Sequence, residues 1–181
     1  MTEPFLESKN INYNHVLRRS LELPCGVILK NRLTKSPMSD SLGNGEGDPT
    51  EAQIRLYERW AEGGAALSII GEVQGDACYP EKPGNLVFGP QSNQQALRTL
   101  ASRAVIDGAH LWPQLGHAGA LSHLPISQPR GPSSLDLDGL QCASMTVNEI
   151  QALPGMYAKR RYSQSLQDLP GCTFTQDMDF C

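Results

Sequence analysis

The chain has 181 residues, with 15 basic against 19 acidic side chains, 39% apolar residues, 17 glycines and 13 prolines. Its length sets a prior of one domain with a core of ordinary size. A net charge of −4 excludes the basic footprint that binding to nucleic acid or an anionic membrane selects.

Residues 1–20 read as a polar lead-in without the apolar segment of a signal peptide. No run anywhere approaches the ~18 apolar residues of a membrane span. Cys25, Cys78, Cys142, Cys172 and Cys181 are scattered, with no Cys-x-x-Cys pair among them. That pattern predicts idle thiols in a reducing, cytoplasmic setting and neither a zinc site nor a disulfide framework.

A short β-type stretch, Cys25 to Leu29, leads through a turn at Lys30-Asn31 to a first strand over Arg32–Met38. The Gly- and Asp-rich segment from Ser41 to Pro49 is a loop. Pro49-Thr50 then opens a helix with Ile54, Tyr57 and Ala61 on one face, ended by Gly63-Gly64. Ala65–Ile70 is an apolar run of the kind buried on both faces of a parallel sheet. A loop from Val73 to Pro90 precedes a second helix over Gln91–Asp107, with Leu97, Leu100, Ala101 and Ala104 on its stripe. His110–Leu115 reads as a third strand, although Pro113 lies inside it. Gly116–Ser144 reads as a loop. Thr146-Val-Asn-Glu149 is a capping box for a third helix, which Pro154 is expected to bend or delay. Alternating strands and helices predict a parallel sheet of crossover units, with chemistry in the loops after the strand ends.

Those loops hold Ser36-Pro37-Met38-Ser39, Gly71-Glu72-Val73 and Gln114-Leu-Gly-His117-Ala-Gly119. Taken singly, Ser39 reads as a turn residue, Glu72 as a rim carboxylate and His117 as a hydrogen-bonded loop histidine. Trp60 and Trp112 read as core. A hydroxyl, a tight glycine turn and an amide converging on one rim suit a flat heteroaromatic ligand held edge-on.

The set Asn31–Met38, Trp60–Gly64, Ile69–Glu72 and Gln114–Gly119, in that order, closely resembles the NADH:flavin oxidoreductase, or Old Yellow Enzyme, family. The resemblance covers about residues 20–159. It implies an α/β fold comprising about the first three βα units of an FMN-binding (β/α)8 TIM barrel, behind a short N-terminal β segment. It also implies FMN as cofactor, NAD(P)H as reductant and a small electrophilic substrate. Pro37 and Met38 would press on the flavin ring, and Ser39 would replace the family's Thr or Cys. Val73 would offer its backbone, and Gln114 would pair with the pyrimidine edge. Ala120 stands where the family commonly has Arg. No retained catalytic residue is expected, His117 being the one candidate.

The likeness stops at Lys159, so residues 21–159 are expected to be barrel and 160–181 a tail outside the family pattern. Joining the last base of each codon to the first two of the next gives an alternative reading of that tail. Gly171–Cys181 then permits Val-His-Ile-His-Ala-Gly-His-Gly-Phe-Leu, resembling the family's histidine-containing loop. Arg160–Gly171 permits Ala-Ile-Phe-Ala at its start and Ala-Gly-Phe-Ala-Gly at its end, resembling its next helix and strand. A one-base frame displacement near Lys159 is the expectation that follows. A barrel of this type takes eight strands and about 250 residues, and its last loops build the phosphate site. The expectation is a truncated member, inactive alone, with open sheet edges prone to self-association or aggregation. The alternative is a non-catalytic fragment that pairs with a complementary barrel fragment or a full-length relative.

Overall fold

The computed structural model describes residues 13–161 of the chain. The elements are α1 (Tyr13–Leu17), β1 (Leu21–Glu22), β2 (Ile28–Leu29), β3 (Thr34–Lys35), α2 (Glu51–Glu62), β4 (Leu67–Gln74), α3 (Gln94–Ala104) and β5 (His110–Gly116). After them come β6 (Arg130–Gly131), β7 (Leu135–Leu137), β8 (Leu140–Ser144) and α4 (Val147–Arg161). The lead-in is therefore not wholly irregular, since α1 forms inside it.

Thr50 caps α2 by accepting from the Gln53 N–H, and Asn93 does the same for α3 through Ala96. Such caps satisfy orphan donors of the first helical turn. The stripes Ile54–Tyr57–Ala61 and Leu97–Leu100–Ala101–Ala104 are buried as the periodicity predicts. α3 is shorter than expected: the chain leaves it at Val105 for a 3-10 turn, with Asp107 at φ 53°.

β3, β4 and β5 form a parallel three-stranded sheet in that order, with α2 and α3 as the crossovers. Strand alternation sends neighbouring side chains to opposite faces. Ile70 and Leu111 join α2 and α3 in the main core, together with Leu86 and Phe88. Leu67, Ile69 and Trp112 pack in a second cluster with Val27 and Leu29 of the β1–β2 hairpin. Burial on both faces explains why Ala65–Ile70 reads as an apolar run in which Ser68 alone is polar.

Four further expectations need correction. The first strand is not formed over Arg32–Met38 but is confined to β3, Thr34–Lys35. β4 does not stop at Ile70 but continues to Gln74, across a register shift between Ile70 and Val73. The span Gly116–Ser144 is not all loop: β6 pairs parallel and β7 antiparallel with β8. Pro154 does not delay the helix, because α4 runs through it from Val147. Pro113 is tolerated in β5 because it faces Ile70, where the register shifts, on an outer strand of the described sheet.

The capping box at α4 is reciprocal: Glu149 Oε2 accepts from the Thr146 N–H at 2.7 Å, and Thr146 Oγ1 accepts from the Glu149 N–H at 3.2 Å. α4 ends two residues past the limit of the family likeness, and the remainder of the tail lies outside the described residues. Among the described residues, no helix is long and apolar enough to cross a membrane.

α2 and α3 are also joined electrostatically. Arg103 donates to Glu58 from Nε at 3.0 Å and from Nη2 at 2.7 Å, and Arg55 donates to the same carboxylate. Arg103 first and Arg55 second hold the Glu58 pKa at about 2. A carboxyl depressed by folding stabilises above its ordinary pKa of 4.5, and the contribution is lost as pH falls towards 2. Glu58→Gln is therefore expected to lower the melting temperature at neutral pH and to flatten its fall between pH 4.5 and 2. Parallel melting curves for parent and variant across that window check this, and identical acid limbs would refute it.

Candidate functional site

The C-terminal ends of the three parallel strands form one rim. At its centre β4 uses one more residue than β5 between the pairs Ile70↔Pro113 and Val73↔Leu115. A bulge of this kind bends a strand and re-aims its neighbours, and it is common beside functional sites. Gly71 lies in the bulge and admits the backbone of Met38 from the end of β3: a Cβ there would stand 2.3 Å from Met38 C. Gln114 occupies the matching stretch of β5, between Pro113 and Leu115. Met38, in the segment just past β3, thus lies in a row with Gly71 of β4 and Gln114 of β5.

Each expected residue has a definite setting. Pro37 is half-buried, whereas the Met38 side chain is 56% exposed, a large apolar group presented to solvent. Ser39 accepts a 3.3 Å hydrogen bond from Asn85 Nδ2, which ties it to the loop after β4. That loop lies close: a Cβ on Gly84 would stand 2.4 Å from the Ser41 carbonyl oxygen. Val73 is fully buried in the core, so only its backbone is available to a ligand. Gln114 is exposed.

His117 stacks on Tyr79, with ring centroids 4.9 Å apart and planes tilted by 35°. Tyr157 of α4 lies 6.3 Å from it on centroids and donates to the Gly116 carbonyl at 2.6 Å. Burial raises the pKa of Tyr157, and the nearby Asp76 charge adds to the shift. A cavity of about 340 Å³ opens beside these groups, with Glu81, Gln114 and His117 in its wall. Glu81 Oε2 and His117 Nε2 are buried without a hydrogen-bond partner.

The sequence reading missed the group that braces the rim from behind. Asp40 accepts from Gln53 Nε2 at 2.9 Å and from Tyr57 Oη at 3.1 Å. Lys35 donates to Tyr57 Oη at 3.3 Å and to the Ile69 carbonyl at 2.9 Å. Its ammonium sits 4.4 Å over the Trp60 ring, a cation–π contact. Burial lowers the Lys35 pKa, and the Asp40 charge opposes that shift. Burial, seconded by Asp40, raises the Tyr57 pKa far above the usual range. No spacing in the sequence links these residues, which come from β3, the following loop and α2.

No protein-family profile matches the chain. It is 33% identical over 134 residues to "NADH-dependent flavin oxidoreductase iliE" of Hypocrea jecorina (strain QM6a), a match covering 66% of this chain and 33% of that protein. It is 29% identical over 135 residues to "NADH oxidase" of Thermoanaerobacter brockii, covering 70% of this chain and 20% of that one. The chain thus spans a third or less of these curated relatives. The fold matches Old Yellow Enzyme from Pichia sp. AKU4542 with a TM-score of 0.72 at 18% identity, over 83% of this chain and 43% of that one. With its βαβαβ core and its rim motifs, the chain is thus similar to part of the proteins named NADH-dependent flavin oxidoreductase and NADH oxidase, and it shares the fold of part of Old Yellow Enzyme.

Proposed function

We propose that this chain supplies the first three βα units of an FMN-dependent NAD(P)H oxidoreductase barrel, and that by itself it neither retains the flavin nor turns over. The row Met38–Gly71–Gln114 at the strand ends carries this reading. An exposed thioether and an exposed amide at the strand ends, with Gly71 letting the Met38 backbone close against β4 between them, suit the edge of a flat ring with an apolar body and a polar rim. Pro37, Met38 and Ser39 would hold that ring from β3, Val73 by its backbone from β4, and Gln114 by its amide from β5. When bound, FMN accepts hydride from NAD(P)H and delivers it to an electrophilic acceptor, while the protein orients the partners. The described residues supply three parallel strands, and a barrel of this class builds its phosphate site from its last loops.

The test uses the 181-residue chain labelled at its methionine methyls. Lumiflavin, the ring without its phosphate tail, is expected to shift the Met38 methyl signal and to leave Met145 and Met156 in place. Gln114→Ala should weaken that response. The preparation itself is expected to be colourless and without NADH or NADPH oxidase activity. An unmoved Met38 signal defeats the flavin-edge reading, and a yellow protein bleached by NAD(P)H defeats the statement about the chain alone.

A second reading is supported by the outer strands of the sheet, β3 and β5, which have a neighbour on one side only among the described residues. Open edges are templates for further strand pairing. On this reading the chain associates with a complementary barrel fragment, a full-length relative or its own copies. Gel filtration with and without such a partner separates the two readings.

A further inference from the structure

The ends of β4 and β5 are tied together through one carbonyl. Gly116 O accepts from Tyr157 Oη of α4 at 2.6 Å and from the Gly75 N–H at 3.4 Å. The buried Gln74 side chain, its amide turned so that Nε2 faces the acceptors, donates to the same oxygen at 3.2 Å. Gly75 makes room for the phenol, since a Cβ there would stand 2.8 Å from Tyr157 Cε1 and 2.9 Å from Cζ. The ring thus rests on the backbone that directly follows β4, with its hydroxyl on the last residue of β5. Little else fastens α4: none of its described side chains is fully buried, and Glu149 in its first turn is held by Arg130. A helix without a buried apolar stripe takes its place from single contacts of this kind.

We infer that Tyr157 is a positioning residue for the rim: it holds the Gly116 carbonyl against Gly75 and thereby sets where Gln114 presents its amide. Gln114 and Gly116 are two residues apart on β5, as Val73 and Gly75 are on β4 and its continuation, so each pair shares a side of its strand. The register shift between Ile70 and Val73 interrupts the ladder just before them, which leaves the strand ends to be fixed from beyond it. Burial raises the pKa of Tyr157, so its hydroxyl stays a donor at neutral pH. The bond spans 41 residues, so it forms only when α4 has returned to the rim past the β6–β8 excursion. That the placed amide meets a flavin rests on the function proposed above, but the brace itself does not.

The experiment compares the full chain with Tyr157→Phe, which keeps the ring and deletes the donor. Without ligand, the Gly75 amide is expected to exchange with solvent about tenfold faster in the variant. The His110 amide, bonded to the Ala66 carbonyl at the other end of the ladder, should keep its rate. The Gln114 side-chain amide signals, sharp in the parent, should broaden or split. With lumiflavin, Tyr157→Phe should weaken binding about fivefold in the parent and change nothing in a Gln114→Ala background. A positioning residue acts through the group it positions, whereas a merely structural one costs the same in both backgrounds. Gly75→Ala pushes the same ring away, and should reproduce the change in the Gln114 signals where Tyr157→Phe fails to fold. Unchanged Gly75 exchange with unchanged Gln114 signals, or equal losses of lumiflavin binding in the two backgrounds, overturns the inference. A parent chain that ignores lumiflavin discards the flavin edge, and the exchange rates and Gln114 signals then decide the brace by themselves.

Discussion

Gly71→Ala is expected to destabilise the chain by about 3 kcal/mol or more, near the upper end for overpacking. The added carbon would stand 2.3, 2.4 and 2.5 Å from the C, O and N atoms of Met38. All three are backbone atoms, so no rotamer change relieves the clash. Either β3 separates from β4 or the bulge flattens, and both move Pro37, Met38 and Ser39 off the rim. The φ of Gly71 is not in the left-handed region, so the cost is one of space. Gly64→Ala makes the contrast, since Gly64 has φ 94° and nothing within 4 Å of a new Cβ. There the penalty is backbone strain alone, about 1–2 kcal/mol. Gly155 in α4 also has open space, so Gly155→Ala should be neutral or stabilising, by up to about 1 kcal/mol. Urea denaturation of the three variants measures the order. A Gly71→Ala protein as stable as Gly64→Ala would show that Met38 and Gly71 are not in contact.

Gly71 also shows why sequence reading stops where it does. Gly71 reads as part of a tight turn in the loop after the apolar run, so the expected strand ends at Ile70. In the fold the same glycine lets the strand continue, because the missing Cβ admits a neighbouring backbone at a bulge. Local pattern cannot tell these two uses apart. The helices were legible because their signals are local: Thr50 and Thr146 cap, and the stripes of α2 and α3 repeat at helical spacing, although Asn93, the cap of α3, falls inside the expected span Gln91–Asp107. The β7–β8 hairpin carries a local signal of its own within the span expected to be loop. Asp138-Gly139 is a two-residue turn pair, flanked by Leu135, Leu137, Leu140 and Cys142 in alternation. At the rim, ordered motifs pointed to Met38 and Gln114, and the parallel sheet sets them in one row. Asn85 and Asp40 had no such mark, because their meaning lies in partners 46 and 17 residues away.

Asp40→Ala is the second substitution expected to exceed about 3 kcal/mol. The carboxylate accepts from Gln53 Nε2, from Tyr57 Oη and, through Oδ1, from the Leu42 N–H at 2.9 Å. Gln53 and Tyr57 are 1% and 0% exposed, so water cannot replace the lost acceptor. Leaving a buried donor unsatisfied costs about 1–3 kcal/mol, and here two are left at once. The half-buried Lys35 ammonium also loses the one charge that opposes its desolvation. Asp40→Asn retains an acceptor oxygen of the right shape and should cost about half as much. Tyr57→Phe removes one donor and leaves Asp40 bonded to Gln53, so about 1 kcal/mol is expected. Combining Asp40→Asn with Tyr57→Phe should cost less than the sum, because the second change removes a donor that the first has already stranded. The network joins the segment after β3 to α2, so the Met38 methyl signal should broaden in Asp40→Ala and remain sharp in Tyr57→Phe. Denaturation midpoints for the four variants, read beside that signal, test the argument. Additive costs, or an Asp40→Ala protein within about 1 kcal/mol of the parent, would mean that the rim stands without this support.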